Sequence, residues 1–564
     1  MGGQGITPDS DGLDAFTAVT DEPIRLRGVQ KARLESGRQR LALVIVAFAL
    51  CFASLAGRLT QLALFGTNDT QRFAVRENLA GPRADIMDRN GQILATDLRV
   101  PSAYANPKEI WSVDETVEKL HSVLPDLDVA TLKARLTADK QFVWIKRDLT
   151  PKEQDDIHNL GLPGISFENE ERRFYLQSRS VAHVLGFVDT ENHGLAGLER
   201  VMDQRLMDTK QGPLTLSIDL RVQHAMRDEL AKSMANFSCK GAAGLVMDVE
   251  TGELVAMVSL PDFDSNDPGS ASPDARFNRT TLGVYEMGST FKTFTVAMAL
   301  DSGKVTLGSG YDASKPIHIG GYTISDYHAE NRWLTVPEIF QHSSNIGSAK
   351  MALDVGVSAH RAFLSKLGLL SRPKIEVAEV GAPLVPHPWS EISTMTIAFG
   401  HGMAVSPVQL AKAAGAMANG GWLIEPTLIK RDGPAPRERV ISDKTSKIMR
   451  ELLREVVTEG TGKLANAEGY DIGGKTGTAE KSERHGYDKH ALLSSFLAIF
   501  PAQAPRYLVI VILDEPHGTK ATYGFATAGW TAAPTAARVI ERAAPILQVN
   551  PRWDGTPTQI AAKG

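Results

Sequence analysis

Cysteine is nearly absent from this sequence. Only Cys51 and Cys239 occur in 564 residues. Cys51 lies in the most apolar stretch and Cys239 far away in a polar one, so the pair reads as two unrelated free thiols. That excludes a disulfide framework and a Cys-x-x-Cys motif. A surplus of one charge is missing too. Lys and Arg number 61 against 66 Asp and Glu, a formal net charge of −5. Binding nucleic acid would require a basic face, and the balance offers none, so no nucleic-acid partner is expected. No His-Glu-x-x-His zinc motif and no Gly-x-Ser-x-Gly elbow occur, and no phosphate-binding Gly loop ending in Gly-Lys-Ser/Thr is read in the chain. The fourteen histidines show no metal-ligand spacing. Neither a metal nor an organic cofactor is indicated. Internal repeats and long low-complexity runs are also lacking.

Against this background one long apolar run stands out. Leu41 to Gly57 reads LALVIVAFALCFASLAG without a charge. Arg58 interrupts, and Leu59 to Phe65 is again mostly apolar. Together these residues reach the roughly 20 needed to span a bilayer, and an Arg near one end can snorkel to the interface. Arg25, Arg27, Lys31, Arg33, Arg38 and Arg40 precede the run. Basic flanks stay on the cytoplasmic side, which places the N-terminus inside and the bulk of the chain outside. A cleaved signal peptide is the rival reading, with Ser54-Leu55-Ala56 as small residues before Gly57. The 40 residues before the run are far more than an ordinary n-region. A buried soluble helix fits the one-sided charge less well.

The length predicts two or three folded units. Residues 1–38 read as a polar cytoplasmic tail, 39–65 as a transmembrane helix, 66–215 as a mixed unit, 216–549 as a second unit and 550–564 as a tail. In the first unit, Asn90-Gly91 predicts a two-residue hairpin turn between apolar-containing runs. Val117, Leu120, Leu124, Leu132 and Leu136 fall at helical spacing across 113–140. In the second unit, 244–248 and 254–258 read as antiparallel strands around Glu250-Thr251-Gly252. Helical patterns dominate from 289 to about 460, and strands follow at 492–500 and 507–513. That order predicts an α+β unit, an antiparallel sheet with helices packed on it.

Three motifs in this second unit carry chemistry. Ser289-Thr290-Phe291-Lys292 opens an apolar, helix-compatible run. A Ser and a Lys one helical turn apart share a face. A serine hydroxyl needs a nearby base to act as a nucleophile, and a desolvated lysine can serve. The pattern alone is weak: Ser371-Arg372-Pro373-Lys374 repeats it by chance, with Pro373 breaking the helix that would align the pair. Ser343-Ser344-Asn345 follows 54 residues later and is the sole Ser-x-Asn in the chain. Its hydroxyl and amide could extend a proton relay and hold a substrate amide, although Ser and Asn are also ordinary loop residues. Lys475-Thr476-Gly477-Thr478 comes a further 132 residues on. Its Lys and hydroxyls can bind a carboxylate, Gly473, Gly474 and Gly477 permit close approach, and a backbone N–H could join that of Ser289 in an oxyanion hole. Taken singly it could be a glycine-weakened edge strand with a solvated Lys.

In this order the three motifs resemble the signature of penicillin-binding proteins and serine β-lactamases, with Ser-Ser-Asn where β-lactamases commonly have Ser-Asp-Asn. The resemblance extends over about residues 40–540, to class B penicillin-binding proteins of the division-specific (FtsI) type. Arg83 to Gly91 is similar to the family's first pedestal motif, with Ala84 where Gly is usual. Arg173-Phe174-Tyr175 with Ala182 to Phe187 resembles the second, and Gly194 to Glu199 the third. Asn278-Arg279, Tyr285 to Gly288 (Met287 replacing the usual Pro) and Gly400 to Gly421 fit as well.

The resemblance implies a membrane-anchored protein with an elongated pedestal of the dimerisation type. It also implies a transpeptidase domain built like a serine β-lactamase, its antiparallel sheet covered by helices on both faces. Ser289 would attack the D-Ala–D-Ala amide of a peptidoglycan stem peptide, and an amine of a neighbouring stem would take the acyl group. Lys292 would be the base, Ser343 a proton relay and Asn345 a substrate holder. Lys475 with Thr476, Gly477 and Thr478 would bind the terminal carboxylate, and β-lactams would acylate Ser289. Implied partners are the lipid-linked precursor, a membrane glycosyltransferase of the SEDS type and other division proteins at the septum. An elongation-type relative, expected to carry a longer pedestal insert, and a hydrolase remain alternatives. So does a non-catalytic scaffold or β-lactam sensor.

Overall fold

The computed structural model describes residues 42–57, 82–483 and 486–552. The expected cytoplasmic tail, the flanks of the expected span and residues 553–564 lie outside the described residues. Residues 1–78 and 79–564 form separate units. In the first, 42–57 are helical, with Leu43, Ile45, Phe48 and Phe52 all exposed. No helix among the described residues is long and apolar enough to cross a membrane.

The second unit is organised on two five-stranded sheets. One is wholly antiparallel, in the spatial order Gly473–Glu483, Gly486–Phe500, Tyr507–Asp514, Gly241–Asp248, Leu254–Leu260. The two apolar strands predicted around Glu250-Thr251-Gly252 pair as expected, Val246 opposite Ala256. Strands Gly241–Asp248 and Tyr507–Asp514 are buried at every position. Alternate side chains on a strand point to opposite faces, and the core divides accordingly. Leu245, Met247, Ile510 and Ile512 pack with the helices that surround Ser289, among them Lys292–Asp301 and Pro407–Ala418. Val246, Val509, Val511 and Leu513 pack on the other side, against Leu220–Asn236 and Ala532–Ile546. Helices therefore cover both faces, as the resemblance implied.

The other sheet belongs to the N-terminal part. Strands Ile93–Ala105 and Ile165–Tyr175 form its long antiparallel pair, and Ile86–Met87 lies between Ile93–Ala105 and Leu214–Thr215. The Asn90-Gly91 hairpin is present, but its turn is wider than predicted. Asp88 and Gln92 still pair through Asp88 N–H, so three residues form the loop, with Gly91 at φ +84. The Asp88 carboxylate fastens it by accepting from the amides of Asn90 and Gln92. An acceptor inside the loop favours the longer connection over a two-residue turn. The 113–140 periodicity resolves into two capped helices, Val113–Val123 and Val129–Leu136, with all five predicted apolar residues buried.

Candidate active site

The three motifs meet at one edge of the antiparallel sheet. Ser289 lies in a 3-10 turn, Gly288–Phe291, which runs into the helix Lys292–Asp301. Lys475 to Thr478 lie on Gly473–Glu483, the outermost strand. Ser343-Ser344-Asn345 leads into the helix Asn345–Val355. Glycines let these backbones touch. A Cβ on Gly400 would stand 2.0 Å from Gly288 O, and one on Gly477 2.4 Å from Met287 O. Gly400, at φ +86, also accepts from the Gly288 amide at 3.2 Å, so the Gly400-His401-Gly402 stretch is a wall of the site rather than a remote loop.

Lys292 is at the centre and fully buried. Its Nζ is 2.8 Å from Ser289 Oγ, 2.7 Å from Ser343 O, 3.0 Å from Ser343 Oγ and 2.7 Å from Asn345 Oδ1. Two of these partners can only accept. Ser343 O is a carbonyl, and Asn345 Oδ1 is fixed as an acceptor because Nδ2 donates to Ser325 O at 2.9 Å. A neutral amine has two N–H groups for those two acceptors and one lone pair left for a hydroxyl. Burial drives Lys292 well below the ordinary lysine pKa, and the charge of Lys475 adds to the effect; Asp326 opposes it. This arrangement can take the proton of Ser289.

Lys475 is also fully buried, and burial pushes it down to about 7. Its Nζ is 3.1 Å from Ser343 Oγ, so that hydroxyl bridges the two lysines. Burial holds His401 at about 4, with the Lys292 charge acting in the same direction. Thr476 and Thr461 share a hydroxyl hydrogen bond of 2.7 Å. Thr478 Oγ1 accepts from the Ala528 amide at 3.0 Å, which leaves its proton to donate. The Ser-x-x-Lys at Ser371 falls in an irregular stretch and takes no part.

Sequence reasoning missed Thr461, Ala528, Ser325 and Asp326, none of which lies in a motif. It was also mistaken in reading no phosphate-loop sequence in the chain: Gly469 to Thr476 spells Gly-x4-Gly-Lys-Thr. A phosphate loop leads from a strand into a helix. Here Lys475 and Thr476 are inside a strand with buried side chains, which excludes that reading. Among the described residues no group of three or more His, Cys, Asp or Glu side chains is placed to hold a metal ion.

The pedestal motifs converge elsewhere. The Arg83 guanidinium binds Glu199, Asp203 and the carbonyl of Asn192. Arg173 binds the other oxygen of Glu199 and Asp97. Arg83, Arg173 and Glu199 side chains are inaccessible to solvent. These residues form a structural ion network and offer nothing to a substrate.

Comparison with known proteins agrees with this geometry. Residues 242–540 match the family model of the penicillin-binding protein transpeptidase domain, and 78–212 that of the penicillin-binding protein dimerisation domain. The chain is 43% identical to the probable peptidoglycan D,D-transpeptidase FtsI of Caulobacter vibrioides, over 91% of this chain and 89% of that one. A crystal structure of a peptidoglycan synthetase from Bifidobacterium adolescentis shares the fold, with TM-score 0.66 and 23% identity over 85% of this chain and 98% of that one. The transpeptidase domain of penicillin-binding protein 3 from Burkholderia pseudomallei is 32% identical with TM-score 0.54, over 60% of this chain and 98% of that one. The chain belongs to the class B penicillin-binding proteins of the FtsI type.

Proposed function

We propose that this protein is a peptidoglycan D,D-transpeptidase that cross-links stem peptides at the division septum through an acyl-Ser289 intermediate. The observation that carries the reading is Lys292 Nζ, 2.8 Å from Ser289 Oγ, with both its amine protons committed to Ser343 O and Asn345 Oδ1. Ser289 Oγ gives its proton to Lys292 and bonds to the carbonyl carbon of the penultimate D-Ala. The oxyanion is held by the Ser289 N–H and an N–H of the Lys475–Thr478 edge. As the tetrahedral species collapses, the C–N bond breaks, and the proton reaches the departing D-Ala amine through Ser343 Oγ. An acceptor amine then attacks the ester; as the C–Oγ bond breaks, the amine's proton passes by way of Lys292 to Ser289 Oγ, which frees Ser289 and completes the cross-link. Thr476, Thr478 and the charge of Lys475 bind the terminal carboxylate. β-Lactams acylate Ser289 by imitating the same dipeptide.

The apolar run at 41–65, with basic residues before it, supports one membrane span with the N-terminus in the cytoplasm and the catalytic part outside. The domain division is 66–215 for the pedestal and 216–549 for the transpeptidase. Division proteins and a SEDS-type glycosyltransferase are the partners implied by the family. An elongation role is second, disfavoured by the lack of a longer pedestal insert in the sequence.

The direct test is to incubate membranes with a fluorescent penicillin. A band at this chain's mass, lost in Ser289→Ala, is expected, together with very slow penicillin hydrolysis. Rapid turnover would identify a β-lactamase. No label on folded wild type would favour a scaffold, which would still support division as Ser289→Ala.

A further inference from the structure

We infer that Asp326 is a positioning residue of the acyl-transfer site, holding the Ser343–Asn345 loop in the conformation that aims two acceptors at Lys292. The inference rests on the acyl-serine reading. Asp326 lies outside every motif, in the loop between the short strands Tyr322–Ile324 and Trp333–Thr335.

The loop it holds is under strain. Ser343 takes φ +60, a left-handed conformation unfavourable for a residue with a Cβ. Yet that conformation is what brings both Ser343 O and Ser343 Oγ within 3.0 Å of Lys292 Nζ. Something must fix the chain on the far side of Ser343, and the contacts name it. The Asp326 carboxylate accepts from Ser344 Oγ at 2.7 Å and from the Ile346 amide at 2.9 Å. It therefore grips the residues on either side of Asn345. Ser325 O takes Asn345 Nδ2, which turns Oδ1 toward Lys292. Ser344, nearly inaccessible, completes the clamp by capping the helix Asn345–Val355 through Gly347 N–H. A carboxylate at that helix N-terminus also meets the positive end of its dipole.

Charge adds a second effect. The charged groups that act on Lys292 are Lys475 from the edge strand and Asp326, while Lys292 in turn acts on His401 of the Gly400–Gly402 wall. Asp326 alone favours the ammonium form. Removing its charge must move Lys292 further down. The acid limb of acylation, where the base becomes protonated, then shifts to lower pH.

The test measures fluorescent-penicillin acylation rates against pH on the full chain in detergent, with thermal melts on each variant. For Asp326→Asn, the expected result is a rate lower by on the order of 10- to 100-fold, the scale of one charge-assisted hydrogen bond, with an acid limb at lower pH than wild type. Ser344→Ala should slow acylation and leave the limb in place. If Asp326→Asn does not fold, Asp326→Glu decides: the charge persists while the clamp is displaced, so slower acylation with an unmoved limb is expected and a wild-type rate overturns the proposal. A folded Asp326→Asn with an unmoved limb, whatever its rate, also overturns it. If wild type forms no Ser289-dependent adduct, the acyl-serine reading itself has failed. A labelled wild type beside an unaltered Asp326→Asn sinks the Asp326 role alone.

Discussion

Two lysines buried around one serine hydroxyl cannot both hold a proton at little cost, and this sets the pH behaviour of the site. Lys475 is one cause of the low Lys292 pKa. Replacing it in Lys475→Met removes that repulsion, so the Lys292 pKa rises and the acid limb of acylation moves to higher pH. Asp326→Asn moves the limb the opposite way. Penicillin labelling against pH checks both, and shifts of the same sign would refute the two-lysine picture. Stability carries a related signature. Lys475 titrates at about 7 in the folded protein and at its ordinary 10.5 when unfolded. Between those values the unfolded chain binds more protons, so stability rises with pH across that window. Melts from pH 7 to 10.5 should show this slope in wild type and a smaller one in Lys475→Met; equal slopes would refute it. At this scale the sequence was most readable. The proposed nucleophile, base, relay and carboxylate-binding residues are types that acyl transfer requires, in an order chance seldom produces. Asp326 and Ser325 were hidden because an Asp in a polar loop has no pattern of its own. Only the fold shows that it faces the N-terminus of the helix Asn345–Val355.

Among the elements, the edge strand and the Ser289 turn must fit without side chains between them. Gly477 is the tightest point: an added Cβ would stand 2.4 Å from Met287 O and 2.5 Å from Ser495 Oγ. Both neighbours are fixed, since Met287 O also accepts from Thr290 Oγ1 at 2.9 Å and Ser495 Oγ donates to Gly477 O at 3.2 Å. Gly477→Ala therefore pushes the strand off the Ser289 turn. A loss of about 1–3 kcal/mol is expected from the overpacking, with a larger relative fall in penicillin labelling than in melting temperature. A fully active, destabilised variant would mean that the contact is only packing. Strands of seven or eight residues were legible because their runs of Val, Leu, Ile and Met are long enough to show. The three-residue strands at 310–312, 317–319, 322–324 and 333–335 were not, since so short a segment has no measurable period.

At the scale of the molecule, hydrophobic continuity decides what unfolds together. Ile86, Leu94, Tyr175, Val184 and Leu198 of the N-terminal part share one buried cluster with Leu245, Phe294 and Ile510 around the site. Val117, Leu120, Leu132, Ile145 and Ile157 form another, at the far end of the long strand pair. The sequence suggested a boundary near 215, which separates units along the chain but could not show this sharing. Hydrogen bonds reinforce it: Glu379 accepts from the Gly197 amide, Asn278 donates to His183 O, and Asn266 and Tyr175 exchange two bonds. The Arg83–Glu199–Arg173 network therefore belongs to the same cooperative body as Ser289. Glu199→Ala leaves two guanidiniums short of a partner in a site closed to water, a loss of about 3–5 kcal/mol. Leu120→Ala empties part of the far cluster, at about 2–5 kcal/mol. In calorimetry with penicillin labelling followed during heating, Glu199→Ala should lower the transition at which labelling is lost. Leu120→Ala should lower a different one and leave labelling intact. If both variants shift a single transition together, the two clusters are not separate folding units. If Glu199→Ala leaves the labelling transition in place, the Arg83–Glu199–Arg173 network does not stabilise the site.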